Sequence, residues 1–508
     1  MSVLGPPSTL SRRAEAALER LGDHRTLCFE GTWHTSGQLA ARARRAASGF
    51  VGLGVRPGAR VVLVMANCPE VGIACSALWR AGAVVTPVLF LLSEDELRHV
   101  VTDSGAVAVV TTPDFLPKVR ASAGSLPVVV VGAAADGVVA WDDLEGGDEL
   151  PVVDRTPDDL AALLYTGGTT GRSKGVALTH AGLDAAGHAG SLASRAPGRV
   201  RSLLPLPLAH VYGLMVSVTG LHAVEPGETV LMRWFDAAGW VSLVEEHRTQ
   251  TSALVPSMIS MLLAQPLEEH DLSSLERLSS GGAPLAPELA VELERRVPGV
   301  EVREGYGCTE TSALISAQPP DERRLGSVGK PVPGVTVRIA GPDGSDLPTG
   351  RDGEICVRGP VLMTGYWKAP EATAEALRGG ELHTGDVGHL DEDGFLHVVD
   401  RIKDLIIRNG FNVYPRDVED VLLAHPEIVG AAVVGRPDPR TGEEVVAFVA
   451  VAPGSSLTPD RVVAYAKEHL SAAKYPREVR VVDAIPLTSV LKTDRKALRS
   501  LLTAGGAA

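Results

Sequence analysis

Positive charge, paired cysteines and long apolar runs are scarce in this sequence, and each shortage removes a class of function. The 508 residues carry a formal net charge of −14, so we expect no nucleic-acid partner bound through its phosphate backbone. The cysteines number five, an odd count, and no two of them form a CxxC pair. A disulfide framework or a zinc site is therefore not predicted, and a reducing, cytoplasmic location is expected.

Membrane segments are also not predicted. The N-terminal stretch MSVLGPPSTLSRR lacks the apolar centre of a signal peptide, and no uninterrupted apolar run is long enough to span a bilayer. We therefore expect no integral membrane association. Hydrophobic residues make up 45% of the chain and charged residues 22%, which is typical of globular proteins with large buried cores. The length suggests about two to four domains.

Segments typical of helices and strands alternate along the chain. In TSGQLAARARRAASGFVGLGV, Leu39, Ala43, Ala46 and Phe50 recur every three or four positions and predict one face of a helix. The strand-like run RVVLVM follows at 60–65, and the alternation continues through PEVGIACSALWRAG, AVVTPV, AVAVVT, LPVVVVG and LAALLYT. This pattern predicts an α/β fold with largely parallel sheets.

Two later segments predict a local β unit and a domain boundary. Near 335–360, two β-rich runs flank a Gly/Pro/Asp turn, which predicts a local antiparallel β unit. A domain boundary is predicted within VVDRIKDLIIRNG, giving a large N-terminal domain over 1–400 and a small α+β domain over 401–508. The small domain should contain a short helix (PRDVEDVLLAHP), two strands (IVGAAVVGRP and EEVVAFVAV) and a final helix (PDRVVAYAKEHL) before the tail.

The stretch YTGGTTGRSKG, at 165–175, has the composition of a phosphate-binding loop. Glycines let backbone N–H groups close on an anion, while threonine hydroxyls and Lys174 add donors and positive charge. The spacing does not match a P-loop, because Gly171 is followed by Arg172 and Ser173 before Lys174. The run GVALT then alternates like a strand, so we expect the loop to join two strands. A polar hairpin turn with one surface lysine has the same composition and stays an alternative.

Three further segments carry side chains that suit a magnesium nucleotide. EGYGCTET offers Tyr306 to stack on a base and Glu310 to hold Mg²⁺. LHTGDVGHLDEDGFLHVVDR places Asp386 in a turn where its carboxylate can accept both ribose hydroxyls, with Arg401 at the end, and PLTSVLKTDRKALR contains Lys492. Taken singly, these segments have plainer interpretations as a loop with a surface glutamate, an Asp-rich hairpin and a solvated helix start.

In their order and spacing, these motifs resemble those of the adenylate-forming superfamily, which includes acyl-CoA synthetases, peptide-synthetase adenylation domains and firefly luciferase. The resemblance extends from GVRPGARVVLVMANCPE near the start to TDRKALR near the end. YTGGTTGRSKG is similar to the family's phosphate-binding signature, and GYGCTE, GEICVRGPVLMTGYW, TGD and DRIKDLIIRNGFNVYPRDVE follow in the family's order. The acyl-CoA ligase branch is the one indicated.

The resemblance implies a two-step reaction that uses ATP, Mg²⁺ and CoA. A carboxylate attacks the α-phosphate of ATP to give an acyl-adenylate and pyrophosphate, and a thiol, commonly that of CoA, then releases AMP. Because the first step brings two anions together, cationic groups are the main catalytic need. The expected partners are a small carboxylic acid, ATP and CoA, and the protein is expected to be a monomer or a homodimer.

The same resemblance gives roles to individual residues. Thr309 should reach the α-phosphate, Glu310 should hold Mg²⁺, and Lys492 should bridge the carboxylate and the α-phosphate as the main adenylation residue. Asp386 and Arg401 should bind the ribose. The residues expected around the ATP phosphates are Thr166, Gly167, Gly168, Thr169, Thr170, Gly171 and Lys174. Those expected around the adenine are Gly281, Gly282, Ala283, Tyr306 and Gly307.

Domain motion follows from the position of Lys492. This lysine lies in the small domain, so domain closure must deliver it. The family rotates the small domain about a hinge at the position of Lys403. That rotation withdraws Lys492 and brings IIRNGFNVYP to the site, where Gly410 should line the pantetheine tunnel.

Four residues depart from the family pattern. Gly167 stands in place of a serine and Ser173 in place of a proline, which removes one hydroxyl donor and some loop rigidity. In the tail, Leu487 replaces a lysine and Leu491 replaces the glycine before Lys492. If that glycine takes positive φ, Leu491 is strained there.

The acid itself should be of fatty or aryl type. LPLPLAHVYGL is similar to the family's acyl-pocket signature, with His210 where acyl- and aryl-CoA ligases often carry a histidine near the adenylate carboxyl. The aspartate of amino-acid-activating relatives is absent, so α-amino acids are not expected. The predicted pocket residues are His210, Tyr212, Gly213, Val255, Ser280, Gly281 and Gly305. Two alternatives stay open: an enzyme that loads a carrier-protein phosphopantetheine arm, and a catalytically degenerate binding protein.

Overall fold

The computed structural model describes residues 6–132, 135–166, 172–488 and 491–504. The chain forms two compact units. The large unit comprises Met1–Gly282, Glu292–Thr336 and Val357–Leu382, and the small unit comprises Ala283–Val291, Val337–Cys356 and His383–Ala508. The predicted division between 400 and 401 stays a prediction.

Strands and helices alternate over most of the chain. The strands are β1 (Arg25–Phe29), β2 (Thr32–Thr35), β3 (Arg60–Val64), β4 (Val84–Val88), β5 (Ala106–Thr111), β6 (Val128–Val130), β7 (Val139–Ala140), β8 (Leu160–Thr166), β9 (Lys174–Thr179), β10 (Arg201–Leu204), β11 (Glu228–Leu231), β12 (Thr251–Leu254), β13 (Arg277–Ser280), β14 (Glu301–Tyr306), β15 (Ser316–Ala317), β16 (Lys330–Pro331), β17 (Thr336–Ala340), β18 (Gly353–Arg358), β19 (Gly365–Tyr366), β20 (Leu382–Leu390), β21 (Leu396–Arg401), β22 (Ile406–Arg408), β23 (Phe411–Val413), β24 (Ile428–Asp438), β25 (Gly442–Val451) and β26 (Glu478–Val481). The helices are α1 (Leu10–Leu21), α2 (Ser36–Gly52), α3 (Pro69–Arg80), α4 (Glu94–Ser104), α5 (Leu116–Ala123), α6 (Trp141–Leu144), α7 (His180–Ser194), α8 (Val211–Gly220), α9 (Ala237–His247), α10 (Pro256–Leu263), α11 (Pro287–Arg296), α12 (Pro370–Ala376), α13 (Pro415–Leu423), α14 (Pro459–His469) and α15 (Arg495–Ala504).

Two large sheets form the framework of the large unit. One has the strand order β16-β15-β14-β13-β12-β10-β11-β1-β2, and the other has β19-β9-β8-β4-β3-β5-β6-β7. Their central strands are parallel, as in β12–β13–β14 and β4–β3–β5. Antiparallel strands such as β2, β9 and β16 lie towards the edges. The predicted α/β fold is confirmed.

Continuous apolar runs explain the central strands, because both faces of a parallel sheet are covered by helices. Val61, Val62 and Leu63 in β3 are at most 2% exposed. Helix α2 was predicted from its periodicity, and Ala43, Ala46 and Phe50 are indeed buried on one face. Thr35 begins this helix with a reciprocal hydrogen-bond pair to Gln38.

Most strand pairs described in the small unit are antiparallel, and β25–β26 is parallel. β17 and β18 are neighbours in a four-stranded sheet of order β17-β18-β20-β21, at the place where a β unit was predicted. The other sheet has the order β23-β22-β25-β24, with β26 added beside β25. The prediction that α14 is the final helix is wrong, since β26 and α15 follow it. In α15, Leu498 and Leu502 are buried against Phe448 and its neighbours in β24 and β25.

Across the part of the chain that the structure describes, no helix is both long and apolar enough to cross a bilayer.

Candidate active site

Several predicted residues meet at one edge of the nine-stranded sheet. β10, β12, β13 and β14 end at Leu204, Leu254, Ser280 and Tyr306, and their parallel neighbours place these ends on the same side. Val255 and Gly281 directly follow β12 and β13, and His210 and Glu310 lie in the segments that follow β10 and β14. Ligands of open α/β sheets bind outside the carboxyl ends of parallel strands, so this edge is the candidate site.

The phosphate-loop prediction concerns the turn between β8 and β9. These strands are antiparallel, with Thr166 opposite Lys174 and Leu164 opposite Val176. The predicted strand-to-strand connection is therefore confirmed, and Thr166 and Lys174 stand at its two ends. The five residues between them that were assigned to ATP phosphates lie outside the described residues: Gly167, Gly168, Thr169, Thr170 and Gly171.

Residues 307–313, here called the adenine loop, follow β14 and carry Thr309 and Glu310. Thr309 begins a single 3₁₀ turn, and the backbone N–H of Met363 donates to the Glu310 carbonyl oxygen at 2.8 Å. A Cβ atom placed on Gly307 would lie 2.0 Å from the Ala313 carbonyl oxygen, so only glycine fits there. The loop therefore presents Thr309 and Glu310 from a closely packed backbone.

Tyr366 contacts Glu310 and was assigned no role from the sequence. Its phenol donates a hydrogen bond to Glu310 Oε1 at 2.9 Å. Lys174 Nζ lies 5.2 Å from the centroid of the same ring, within cation–π range. Burial, together with the negative charge of Glu310, raises the pKa of the Tyr366 phenol, which keeps it a proton donor.

His210 directly precedes helix α8 and caps its N-terminus. Its Nδ1 accepts the backbone N–H of Tyr212 at 3.2 Å, so in the neutral ring the proton is on Nε2. A Cβ atom on Gly213 would lie 2.2 Å from the Pro207 carbonyl oxygen, so glycine lets α8 start close to the preceding segment. His210 is thereby arranged as a hydrogen-bond donor through Nε2.

Asn67 fixes the segment that leads to His210, and sequence reasoning missed it. Its buried side chain donates to the carbonyl oxygens of Leu206 and Met232, both at 2.9 Å. Its Oδ1 accepts the Leu208 N–H at 2.8 Å. The motif MANCPE contains Asn67, but no local pattern indicates partners so distant in sequence.

The predicted acyl-pocket residues Tyr212, Gly281 and Gly305 come together. A Cβ atom on Gly281 would lie 3.3 Å from both Gly305 O and Tyr212 Cε1. The Tyr212 phenol donates to Ser279 O at 3.4 Å, and its burial raises its pKa. Ser280 Oγ is buried and finds no hydrogen-bond partner among the described residues. Val255, also predicted here, is buried where β12 meets α10.

Asp386 and Arg401, the predicted ribose pair, belong to the small unit and face each other. They are opposite residues in β20 and β21, and Arg401 Nε lies 3.0 Å from Asp386 Oδ1. The turn predicted at Asp386 is wrong, because Asp386 lies within β20. The residues before it are held by Glu354, whose carboxylate accepts the Gly385 N–H at 3.2 Å and contacts His383 Nδ1 at 2.8 Å. Cys356 joins the same cluster, whose donor atoms all lie within 4.8 Å of one another.

The other predicted residues of the small unit are spread over several turns. Lys403 lies in a 3₁₀ turn that directly follows β21 and is exposed. Gly410 has φ +79° in the tight turn between β22 and β23. Ala283 begins one of the unit's segments, whereas Gly281 and Gly282 belong to the large unit.

Lys492 lies in a paired segment formed by residues 486–488 and 491–494, here called the tail hairpin; residues 489 and 490 lie outside the described residues. The Thr488 N–H donates to the Lys492 carbonyl oxygen at 2.7 Å, and the Asp494 N–H donates to Pro486 O at 2.8 Å. Leu491 has φ +58°, the left-handed conformation expected for the family's glycine. The leucine is therefore accommodated in the strained conformation, and the backbone of Lys492 is paired across the hairpin.

Comparison with known proteins agrees with this architecture. The family profile described as "AMP-binding enzyme" matches residues 14–367, and "AMP-binding enzyme C-terminal domain" matches 417–492. A feruloyl-CoA synthase from Amycolatopsis sp is 39% identical over 92% of this chain and 94% of its own length. A 4-coumarate–CoA ligase 5 from Oryza sativa subsp. japonica is 37% identical, covering 96% and 94%.

A solved structure extends the agreement to three dimensions. ATP-bound MatB from Rhodopseudomonas palustris is 32% identical, with a TM-score of 0.88 over 97% of this chain and 99% of that chain. The fold thus has a large N-terminal AMP-binding domain and a small C-terminal domain. The chain belongs to the AMP-binding enzyme family, as an AMP-forming acid–thiol ligase.

Proposed function

We propose that this ligase activates an aromatic carboxylic acid with ATP and transfers the acyl group to the thiol of CoA. In the first half-reaction, a carboxylate oxygen bonds to the α-phosphorus and pyrophosphate leaves. In the second, the CoA sulfur bonds to the acyl carbon and AMP leaves. The convergence of Tyr212, Gly281 and Gly305 at the sheet edge is the observation that carries the choice of acid.

An aromatic ring suits this pocket for steric reasons. The two glycines present backbone instead of side chains, and Tyr212 offers an aromatic surface beside them. Aromatic pairs prefer offset or edge-to-face packing at close range. The unpaired Ser280 hydroxyl can serve a polar ring substituent or an ordered water. The relatives named feruloyl-CoA synthase and 4-coumarate–CoA ligase support the same class of acid.

Residues around the nucleotide are assigned by the family motifs together with the geometry. Thr166, Lys174 and the residues between them would hold the β- and γ-phosphates, Tyr306 and Gly307 would pack around adenine, and Thr309 would donate to the α-phosphate. Asp386 accepts hydrogen bonds as a carboxylate and is oriented by Arg401, which suits ribose hydroxyls.

The residues present also fit a magnesium ion. Glu310 supplies a carboxylate, the kind of oxygen ligand that Mg²⁺ takes alongside substrate phosphates. Within the described residues, the only hydrogen bond that the structure records to this carboxylate is at Oε1, from Tyr366, which leaves Oε2 for the ion. A bound Mg²⁺ would supply charge neutralisation on the phosphates.

Lys492 would complete adenylation, and the rotation of the small domain about Lys403 would exchange it for Gly410 and the pantetheine arm. His210 would donate from Nε2 to an oxygen of the activated acid. Each of these roles comes from the motif positions. The tail hairpin supports the role of Lys492 in adenylation, since a backbone hydrogen bond from Thr488 fixes the Lys492 backbone.

Acid-dependent pyrophosphate exchange tests the choice of acid. The panel is benzoate, 4-coumarate, ferulate, octanoate and phenylalanine. We expect exchange with one or more of the aromatic acids at least tenfold above octanoate, since a mismatched pocket costs about 1–3 kcal/mol. Preference for octanoate would overturn the aromatic assignment. ATP binding without exchange for any acid would instead indicate a degenerate binding protein.

A second assay identifies the acceptor. The preferred acid is incubated with ATP and either CoA or a holo-carrier protein, and thioester formation is measured. Formation of acyl-CoA supports the proposal. Thioester on the carrier alone would show that the enzyme loads a phosphopantetheine arm.

A further inference from the structure

Tyr366 connects two parts of the nucleotide site that are distant in sequence. Its hydroxyl donates to Glu310 Oε1 at 2.9 Å, while its ring lies 5.2 Å from Lys174 Nζ. All three residues belong to the large unit. One side chain therefore touches both the proposed metal ligand and the lysine at the end of the phosphate loop.

The position of Tyr366 is held by its backbone. Gly365 and Tyr366 pair with Ala177 and Val176 of β9, and the Tyr366 N–H donates to Thr373 Oγ1 at 2.8 Å. The next residue, Trp367, donates its N–H to Gly175 O at 2.7 Å. Because β9 begins at Lys174, the short strand that carries Tyr366 is paired with the strand that directly follows the phosphate loop.

The hydrogen bond limits how Glu310 can bind a cation. An ionised carboxylate only accepts hydrogen bonds, and the phenol proton occupies Oε1 on the side that faces Tyr366. The bond takes one lone pair of Oε1 and holds this oxygen towards Tyr366, which disfavours binding of a cation through both oxygens and leaves Oε2 as the preferred ligand. Mg²⁺ suits such a one-oxygen carboxylate, because it keeps several waters in a small octahedral shell, whereas Ca²⁺ readily takes both oxygens of a carboxylate.

We propose that Tyr366 is a positioning residue that makes Glu310 a one-oxygen ligand and so favours Mg²⁺ over Ca²⁺ in the enzyme–ATP complex. This inference rests on the proposed role of Glu310. Tyr366 acts through the carboxylate and also keeps the Lys174 ammonium near the phosphate loop. Removal of the Tyr366 hydroxyl group frees Glu310 Oε1 for a second metal–oxygen bond.

Metal binding to the Tyr366→Phe variant tests the inference without turnover. Mn²⁺ bound to the enzyme–ATP complex, with no acid present, is followed by water proton relaxation and then displaced by Mg²⁺ or Ca²⁺. Loss of an outer partner of a metal ligand typically lowers affinity about 10–100-fold. We expect the affinity for Mg²⁺ to fall about tenfold and the affinity for Ca²⁺ to change less. The ratio of Mg²⁺ affinity to Ca²⁺ affinity should therefore fall.

Tyr475→Phe is the control, because it also removes one phenol hydroxyl, and Tyr475 packs against the core of the small unit, outside every motif assigned to ATP or the metal. This variant should keep the wild-type ratio. A Tyr366→Phe variant with unchanged Mg²⁺ affinity and ratio would overturn the inference. So would a wild-type enzyme–ATP complex with no greater Mg²⁺ preference than ATP in solution, a result independent of how the variant folds.

Glu310→Gln separates the two proposals. The amide keeps an oxygen that accepts the Tyr366 hydrogen bond but removes the negative charge. If this variant binds Mn²⁺ as well as the wild type does, the metal role of Glu310 is wrong. If it loses Mn²⁺ while Tyr366→Phe is unaffected, only the positioning role of Tyr366 is wrong.

Discussion

The adenine loop of the large unit and the tail hairpin of the small unit both hold non-glycine residues at positive φ, but with different support. In the adenine loop, Ser312 has φ +50° and is fully buried, and its hydroxyl donates to Val361 O at 2.9 Å. In the tail hairpin, Leu491 has φ +58° and is only partly buried. The backbone hydrogen bonds described for the hairpin are local: they join Thr488 to Leu491 and Lys492, and Pro486 to Asp494.

This difference indicates whether a substitution in each segment should affect folding stability or catalysis. Strained backbone persists where the surrounding structure over-determines it. The adenine loop is fixed by buried neighbours, so a change there should be felt as lost folding stability. The hydrogen bonds described for the tail hairpin join residues within it, so we expect a change there to be felt in catalysis with little loss of stability.

The largest effect is expected from Lys492→Ala in the tail hairpin. We predict a loss of adenylation of about a thousandfold, because removal of one group that stabilises transition-state charge costs about 10²–10³ in rate. Thioester formation from a supplied acyl-adenylate should be spared. Pyrophosphate exchange and single-turnover thioester formation measure the two steps, with the exposed Lys496→Ala as control. Equal loss in both steps would contradict the assignment of Lys492.

Gly307→Ala should affect the adenine loop through stability. The added Cβ would lie 2.0 Å from Ala313 O, a backbone atom that cannot turn away as a side chain can. We predict a loss of about 3 kcal/mol in the free energy of unfolding, the upper range for overpacking. Urea unfolding measures it. Gly52→Ala, at the end of α2 with no atom within 4 Å of the new Cβ, should be neutral or stabilising. Similar curves for both variants would show that the loop adjusts freely.

Acid should weaken the large unit through His180, which lies in the same region. Gly182, two residues later in α7, packs against the adenine loop, since a Cβ atom on it would lie 3.2 Å from Ser312 Oγ. His180 Nδ1 accepts the Leu10 N–H at 3.3 Å, and burial, together with the charge of Arg155, lowers its pKa to about 4. An unfolded histidine titrates near about 6.5. The contribution of neutral His180 to the free energy of unfolding is therefore fully present above about pH 6.5. It is lost as the pH falls towards 4, and the total loss is about 3 kcal/mol.

His180→Asn provides the comparison for this pH dependence. Its amide oxygen can accept the Leu10 N–H, but it does not titrate. Urea unfolding of the wild type and the variant between pH 7.5 and pH 4.5 should show a smaller pH slope for His180→Asn. An identical slope would assign the acid sensitivity to other groups.

The fold was largely predictable because its strands are specified locally. Runs such as Val61–Leu63 are apolar on both faces, which identifies a strand between two helical layers without tertiary information. Helix α15 was missed for the opposite reason. Leu498 and Leu502 form a buried face only when Phe448 and its sheet are already in place.

The site was predictable where a motif lies on a strand end, and not where a contact joins distant segments. Glu310 and His210 were named because their motifs carry them. Tyr366 and Asn67 were missed, since their partners are 56 and at least 139 residues away in sequence. Hydrogen bonds of this kind depend on the assembled sheet edge, and no local spacing indicates them.

Leu491→Gly should have the smallest effect and bears most directly on the tail hairpin. A non-glycine residue at φ +58° carries about 1 kcal/mol of strain, and glycine removes it. If the relief is expressed only when the hairpin holds Lys492 in its adenylating position, the exchange rate should rise by at most about fivefold. Leu491→Ala is the matched control, because it removes the same side chain but keeps Cβ at positive φ. The Leu491→Gly variant should therefore show a faster pyrophosphate exchange than the Leu491→Ala variant. The melting temperatures of the two variants should be nearly equal. Equal rates would mean that the backbone strain at Leu491 does not reach Lys492, and that the leucine in place of glycine is neutral for catalysis.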